Sequence, residues 1–293
     1  MSAPAAHPAA ARRRGPWSRL LTLLRRDLGL ALAVGLIVAV VLVAVFAPLI
    51  SPVSPSQMVA MPLLWPFQDP AYPLGSDVIG RDLLSGLVHG ARISLLVGLL
   101  SALISLAIGV AIGALAGFFG GWVDTLLMRF TELFQVIPTF ILVVVILAIF
   151  SPSLPLIVVA IGVSAWPLVA RLTRAEFRSL KEADFVLAGR AAGLGTPAII
   201  LSEILPNALP SLVVAASVLV ANGILTEAGI SFLNIGDPNL VSWGSLIANG
   251  KDNINSEWFL SALPGLAIVV TVLALNILGD RRTDILNPRS EIQ

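Results

Sequence analysis

Residues 180–207, LKEADFVLAGRAAGLGTPAIILSEILPN, form the longest polar-containing interruption between apolar runs in the second half of the chain, and they are patterned as helix, not as tail. Acids and bases mix along residues 171–192, with Glu176, Lys181, Glu182, Asp184 and Arg190 and few helix breakers, until Gly193 and Gly195 interrupt the run. Thr196 followed by Pro197 then reads as an N-cap with proline at the first helical position, opening a second short helix that should end before Pro206. The pattern predicts helix, tight turn, helix. Side chains around the turn are small: Ala188, Gly189, Ala191, Ala192, Gly193 and Gly195. Small residues let another surface come close, which suits a helix seated in a partner's groove. An ordered connector packed on its own bundle would carry the same residues, and spacing alone leaves both readings open.

Composition places this stretch in a membrane protein. The chain has 293 residues, 57% hydrophobic and 12% charged, against about 25% charged in soluble proteins. The absence of cysteine excludes disulfides, thiolate-bound zinc, iron–sulfur clusters and a thiol nucleophile. His7 and His89 are the only imidazoles, so no metal site is expected within the chain. No stretch outside the apolar runs is long enough for a core of its own, so any ATPase or receptor must be a separate polypeptide.

The first 27 residues form a basic segment with Arg12, Arg13, Arg14, Arg19, Arg25 and Arg26. Residues 28–50 follow without a charge. At about 1.5 Å per residue they reach about 35 Å, which exceeds the hydrocarbon core of about 30 Å and favours a retained span over a signal peptide. Residues 51–92 make a proline-rich loop, with Pro52, Pro55, Pro62, Pro66, Pro70 and Pro73. A core of five further spans is expected over residues 93–279, the first at 93–119. There Ser101, Ser105, Gly109, Gly113 and Gly117 recur every four residues. Close helix packing is the favoured reading of that stripe, and lining of a pathway is the other.

A short polar connection with Asp124, Arg129 and Glu132 should lead to spans at 134–150 and 154–170, which Ser151, Pro152 and Ser153 join as an antiparallel hairpin. The fifth span is expected at 208–228 and the sixth at 263–279, before a tail at 280–293. Trp243 and Trp258, in the loop between them, suit a membrane–water interface. Six spans put both ends on one side. Fifteen basic residues gather there, including Arg129, the five within 171–190, and Arg281, Arg282 and Arg289, against Arg81, Arg92 and Lys251 opposite. The positive-inside rule therefore puts both termini and the opening stretch in the cytoplasm.

The opening stretch resembles the cytoplasmic motif of ABC-importer permeases, an Ala-Ala, three residues, Gly, then Leu-Pro pattern. Ala188 and Gly189 stand at the Ala-Ala positions, Gly193 at the glycine, and Leu205, Pro206 and Asn207 at the end. Leu187 replaces the acid that names the motif, and Ser202-Glu203 stand where the peptide branch often has Arg-His. LGSDVIGRDLLSGLVHGARISL at 74–95 is similar to the segment before the second span of the dipeptide/oligopeptide branch, on Gly75, Asp77, Gly80, Arg81, Asp82, Gly90, Ala91, Arg92 and Ser94. ISFLNIGDPNLVSWG at 230–244 and a tail with Gly279, Asp280, Asn287, Pro288 and Arg289 resemble the same branch, the C-type member of its permease pair.

The resemblance implies an all-α polytopic protein of the type I ABC importer permease fold, with six transmembrane helices and a cytoplasmic coupling helix between spans four and five. It implies the bacterial inner membrane, a homologous six-span partner, two ATPases that hold ATP and Mg, and an extracytoplasmic substrate-binding protein. Peptide is the implied cargo; nickel and glutathione importers share the fold. The chain itself would bind no cofactor or nucleic acid and perform no covalent chemistry. Contact with the ATPase would fall to Asp184, Ala188, Gly189, Arg190, Ala191, Ala192, Gly193, Leu194, Gly195, Leu205, Pro206 and Asn207.

Asp77, Arg81, Asp82 and Arg92 have two readings, an extracytoplasmic docking surface or outer gate, to which Gly75 would also belong, and an internal ion-pair network that orders the loop; the second is favoured. His89 is expected to be solvated in that loop. Asn222, Glu227 and Asn276 are pathway candidates because intramembrane polar groups are costly and often functional. An intramembrane serine protease lacks both a Gly-x-Ser-x-Gly elbow and a histidine inside a span. A stand-alone channel or secondary transporter lacks intramembrane charge pairs and any visible internal repeat.

Overall fold

The computed structural model describes residues 27–286, and they are helical with no strand beyond two isolated bridges, Met58 to Arg81 and Ser76 to Asp82. The N-terminal arginines and Asn287, Pro288 and Arg289 lie outside the described residues, as do the side chains of Arg281 and Arg282. α1 (Leu28–Val45) and the short α2 (Ala47–Ile50) precede an irregular segment and the long α3 (Leu83–Phe119). α4 (Gly121–Val136), α5 (Thr139–Ile149) and α6 (Leu154–Leu180) follow, then α7 (Asp184–Ala191). α8 (Thr196–Ala198) runs through a π-helical turn, Ile199–Ile204, into α9 (Leu205–Phe232). α10 (Trp243–Gly250) and α11 (Phe259–Leu286) are the last helices among the described residues.

Among the described residues, five helical segments are long and apolar enough to cross a bilayer: α1, α3, α6, Thr196–Phe232 and Phe259–Asp280. A sixth crossing exists only if α4 and α5, bent by 78° at their junction, count as one broken span. The third span expected at 134–150 is therefore not a single helix. Pro138 explains the break, because it forces the preceding Ile137 into extended backbone, φ −89° and ψ 122°. The expected polar connection before it is instead α4, a helix of 16 residues.

Other boundaries also move. α3 begins at Leu83, ten residues before the expected span, because Asp82 caps it by accepting from Leu84 N at 3.1 Å and Ser85 N at 3.0 Å. His89 is therefore helical and not in a solvated loop; its Nε2 lies 3.0 Å from Ser51 O, within reach to donate. α6 extends to Leu180, so the helix expected over 171–192 is cut at residues 181–183. The second short helix does not end before Pro206. Proline lacks an N–H and its ring crowds the preceding turn. The π-helical turn adapts the ladder, with Leu205 N donating to Ile200 O, and the helix continues through Pro206 into α9.

The most extensive packing pairs α3 with α6. Gly109, Gly113 and Gly117 lie in that crossing, where a Cβ would come within 2.4 Å of Val169 Cβ, 2.4 Å of Ala170 O and 2.6 Å of Arg174 O respectively. Gly162 reciprocates from α6, where a Cβ would lie 2.7 Å from Ile104 Cβ. The glycine stripe is thus a packing surface. Lipid supplies no hydrophobic drive for helix association, so this contact depends on close approach of the two backbones. Gly113→Val forces a side chain against a carbonyl oxygen that cannot rotate away, and should cost about 1–3 kcal/mol or more. Gly35→Ala in α1, whose Cβ has nothing within 4 Å, serves as the near-neutral control. Thermal denaturation of the purified protein in detergent should separate the two, and equal midpoints would remove the glycine crossing as a source of stability.

Candidate functional site

One side chain of α7 is buried. Val186 is fully buried in a cluster with Ala114, Phe177, Ile199, Ile204 and Ala208, which joins the ends of α3, α6 and α9. Asp184, Phe185, Leu187, Ala188 and Arg190–Ala198 are exposed, and Gly189 is half-buried. The C-terminus of α7 closes in a Schellman motif: Gly193 N donates to Arg190 O at 3.0 Å and Leu194 N to Gly189 O at 3.0 Å. That geometry requires a left-handed residue at the turn, and Gly193 supplies φ +84°. No other atom lies within 4 Å of where its Cβ would be, so the glycine is demanded by backbone conformation and not by crowding from this chain. α8 is N-capped by Gly195 and not by Thr196, one residue earlier than expected.

Two interactions brace this end. The Arg190 guanidinium lies 5.9 Å from the centroid of the Phe118 ring, near the end of α3. Arg174 and Asp124 form a two-pronged ion pair between α6 and α4, with Nη2 donating to Oδ2 at 2.6 Å and Nε donating to Oδ1. Such charge-assisted forks are strong and directional. Leu205 is half-buried while Pro206 and Asn207 are exposed. Asn207 Nδ2 donates to Glu203 O at 2.6 Å, and Ser202 Oγ to Ala198 O at 2.6 Å. Ser202 is therefore turned onto its own helix.

In the irregular segment, Asp77 and Arg81 come together. Asp77 Oδ1 accepts from Arg81 N at 2.8 Å and Ile79 N at 3.0 Å, and Oδ2 from Arg81 Nε at 2.6 Å. Gly75 has φ +79°, and a Cβ there would sit 2.1 Å from Leu64 O. Asp77 and Asp82 are buried, and their bonds order the loop and start α3. Arg92 stands apart from them, exposed on α3.

The three membrane candidates do not converge. Glu227 is 3% exposed. Its Oε1 accepts from Ser242 Oγ at 2.6 Å and Ser231 Oγ at 2.7 Å, and Oε2 from Ser94 Oγ at 3.4 Å. Ser94 Oγ in turn accepts from Trp243 N at 3.2 Å. Sequence reasoning named Glu227 without this serine clasp, although Ser242 and Ser245, three residues apart, had the spacing of a helix start; they form the capping box of α10. Trp243 is accordingly not at an interface. It is buried, and Nε1 donates to Leu87 O at 3.0 Å; Trp258 is exposed. Asn222 is exposed beside a cavity of about 300 Å³ between α3, α5, α6 and α9. Asn276 is half-buried on α11. Among the described residues no group of three His, Cys, Asp or Glu lies together as a metal site would require.

Tightly crossed apolar helices with a capped, exposed helical turn at one end define a polytopic helical membrane protein. The family described as "Binding-protein-dependent transport system inner membrane component" matches residues 109–292. The di/tripeptide transport system permease protein DppC of Pseudomonas aeruginosa is 36% identical over 256 residues, 85% of this chain and 84% of that protein. The dipeptide transport system permease protein DppC of Escherichia coli K12 is 39% identical over 271 residues, 90% of each. An inward-facing structure of the MetNI methionine ABC transporter superposes with TM-score 0.56 at 22% identity, covering 69% of this chain and 96% of that one. That likeness shows the fold, that of a type I ABC importer permease. The chain belongs to the family of inner-membrane components of binding-protein-dependent transport systems.

The Glu227 clasp makes a testable claim about stability. Ser242→Ala removes a donor to a buried carboxylate and the cap of α10, and should cost about 1–3 kcal/mol. Ser256→Ala on the exposed loop should be near neutral. Thermal unfolding followed by tryptophan emission compares them, and an unshifted midpoint for Ser242→Ala would show that the clasp carries no stability.

Proposed function

We propose that this chain is one of two permease subunits of an ATP-driven peptide importer, and that α7 is the lever through which ATPase closure switches access to the pathway. Its partners are a homologous six-span permease, two ATPases that hold ATP and Mg, and an extracytoplasmic substrate-binding protein. The peptide assignment rests on relatives named as dipeptide and di/tripeptide permeases that align over 85–90% of the chain. The charge asymmetry of the sequence supports a cytoplasmic α7 and cytoplasmic termini. The chain contributes no covalent chemistry.

The observation that carries the lever reading is the Schellman-capped α7 seated by Val186 on the ends of three long helices. Force applied to its exposed residues passes through Val186 to Phe177 on α6 and Ile204 before α9, and the α3–α6 crossing makes that pair move together. Asp184 and the small residues from Ala188 to Gly195, with Leu205, Pro206 and Asn207, form the face offered to the ATPase. On the opposite side, Gly75, Asp77, Arg81 and Asp82 hold the shape of the loop that the binding protein meets, and Arg92 is available for direct contact.

Coupling is tested at Gly193. A side chain at φ +84° costs about 1–2 kcal/mol, and asparagine tolerates this region better than other residues. In the assembled complex, Gly193→Val should lower peptide-stimulated ATP hydrolysis about five- to thirtyfold, while Gly193→Asn retains most of it. Normal coupling in Gly193→Val would count heavily against the lever. Uptake by a deletion strain complemented with this chain tests the cargo: labelled dipeptide should enter, and entry of nickel or glutathione alone would replace the peptide assignment.

A further inference from the structure

The cavity beside Asn222 has polar walls whose hydrogen bonds can be counted. Ser101 Oγ donates to Val97 O at 2.7 Å, Ser105 Oγ to Gly162 O at 2.8 Å, and Thr226 Oγ1 to Asn222 O at 2.7 Å. These hydroxyl protons are directed into the helices. Two polar heads on the wall are left without a partner among the described residues, the Asn222 carboxamide and the Thr139 hydroxyl, and both residues are exposed. Asn222 sits well inside the long α9, where a bare carboxamide against lipid is costly. No Asp, Glu, Lys, Arg or His lines the cavity, and Phe140 adds an aromatic surface.

A second cavity, about 730 Å³, lies further along α6. Leu168 lines both, and the wall then runs through Arg171 and Ala175 towards the end that carries α7. Across it, α4 presents Thr131, Glu132 and Gln135. Arg171 Nη1 donates to Gln135 Oε1 at 3.3 Å, and Glu132 pairs with Arg129 at 3.1 Å. The 78° break between α4 and α5 falls between the two lining groups, with Gln135 before it and Thr139 after. A neutral cavity and a charged one thus have Leu168 as a common wall.

We infer that Asn222 and Thr139 form a transit subsite for the main-chain amide of the cargo, and that Leu168 is the sill between this subsite and a charged exit chamber at Arg171 and Glu132. A carboxamide offers two donors and an acceptor, which match the C=O and N–H of a peptide unit. About 300 Å³ is at the small end of ligand sites, enough for a short peptide segment. Binding the main chain and not the side chains or charged ends gives passage with little sequence preference. The exit chamber offers a guanidinium and a carboxylate to the two charged ends as they leave the neutral section. This inference rests on the peptide reading above, and its test separates the two.

The natural chain has no cysteine, so single-cysteine variants can be read without background. In the full complex, assembled with a cysteine-free partner and reconstituted in nanodiscs, Asn222→Cys should react with a small hydrophilic methanethiosulfonate. Alanyl-alanine delivered by the binding protein should slow that reaction at least threefold. Asn222→Leu should slow alanyl-alanine uptake roughly two- to tenfold, the range expected for one lost neutral hydrogen bond, with binding-protein affinity unchanged; Asn222→Gln should recover part of it. An Asn222→Cys thiol that is unreactive in every nucleotide state, or reactive but unprotected while the unmodified complex still takes up alanyl-alanine, would overturn the subsite and leave the peptide importer standing. No alanyl-alanine uptake by the unmodified complex would instead overturn the peptide reading, and with it the cargo assigned to this subsite.

Discussion

The contact on which the rest of this structure depends is the crossing of α3 and α6. In lipid, apolar side chains gain little by leaving one apolar surface for another, so helices associate through shape. Here shape means missing side chains: Gly109, Gly113 and Gly117 bring α3 so close that a Cβ would overlap α6. The same two helices extend beyond the crossing to carry the end at which α7 sits. Asp124 and Arg174 brace α4 against α6 there, and Phe118 receives Arg190. A displacement of α7 is therefore met by a rigid pair, because sliding one helix over the other would have to break the close contact of their backbones.

The scarcity of charge in this chain makes the fate of each polar group informative. Asp82 caps α3, Asp77 closes the loop before it, Glu176 accepts from Ser211 at 2.7 Å between α6 and α9, and Glu227 gathers three serine hydroxyls. Each is spent on contacts within this one chain, and for the buried Asp77, Asp82 and Glu227 such partners are what burial of an ionisable group requires. Glu227 in particular ties α10 to α3 and α9. Its burial sets it apart from Asn222, which stands five residues away on α9 and faces open space.

Much of the architecture was legible because length and apolarity are read directly from sequence. The apolar runs marked five of the long helices, and the Gly-Leu-Gly segment before Thr196-Pro197 marked the turn. What escaped was whatever depends on a second element. Pro138 was visible, but nothing local said that the chain on both sides of it would be helical and bent by 78°. Pro206 looked like a stop because the π-helical turn that accommodates it has no composition of its own. Trp243 looked interfacial because its partner, Leu87 O, lies 156 positions away in the chain. Of the ion-pair network expected of Asp77, Arg81, Asp82 and Arg92, only the Asp77–Arg81 pair forms, within one short turn, while Asp82 caps α3 and Arg92 stands apart.

The local geometry of α7 bears on why it is exposed. An isolated helix of eight residues is marginal in water, and α7 keeps its form through one buried valine, the Schellman turn and the aromatic contact of Arg190. Those constraints come from the ends of the long helices, so the shape of α7 reports on their positions. At the same time Phe185, Leu187, Leu194 and Leu201 remain exposed around it. Their side chains would gain more from cover than the small residues between them, while those small residues permit a partner's backbone to approach. A surface of this kind is preorganised on one side and uncovered on the other, so binding need not first order the helix. The ordering cost has been met within the chain.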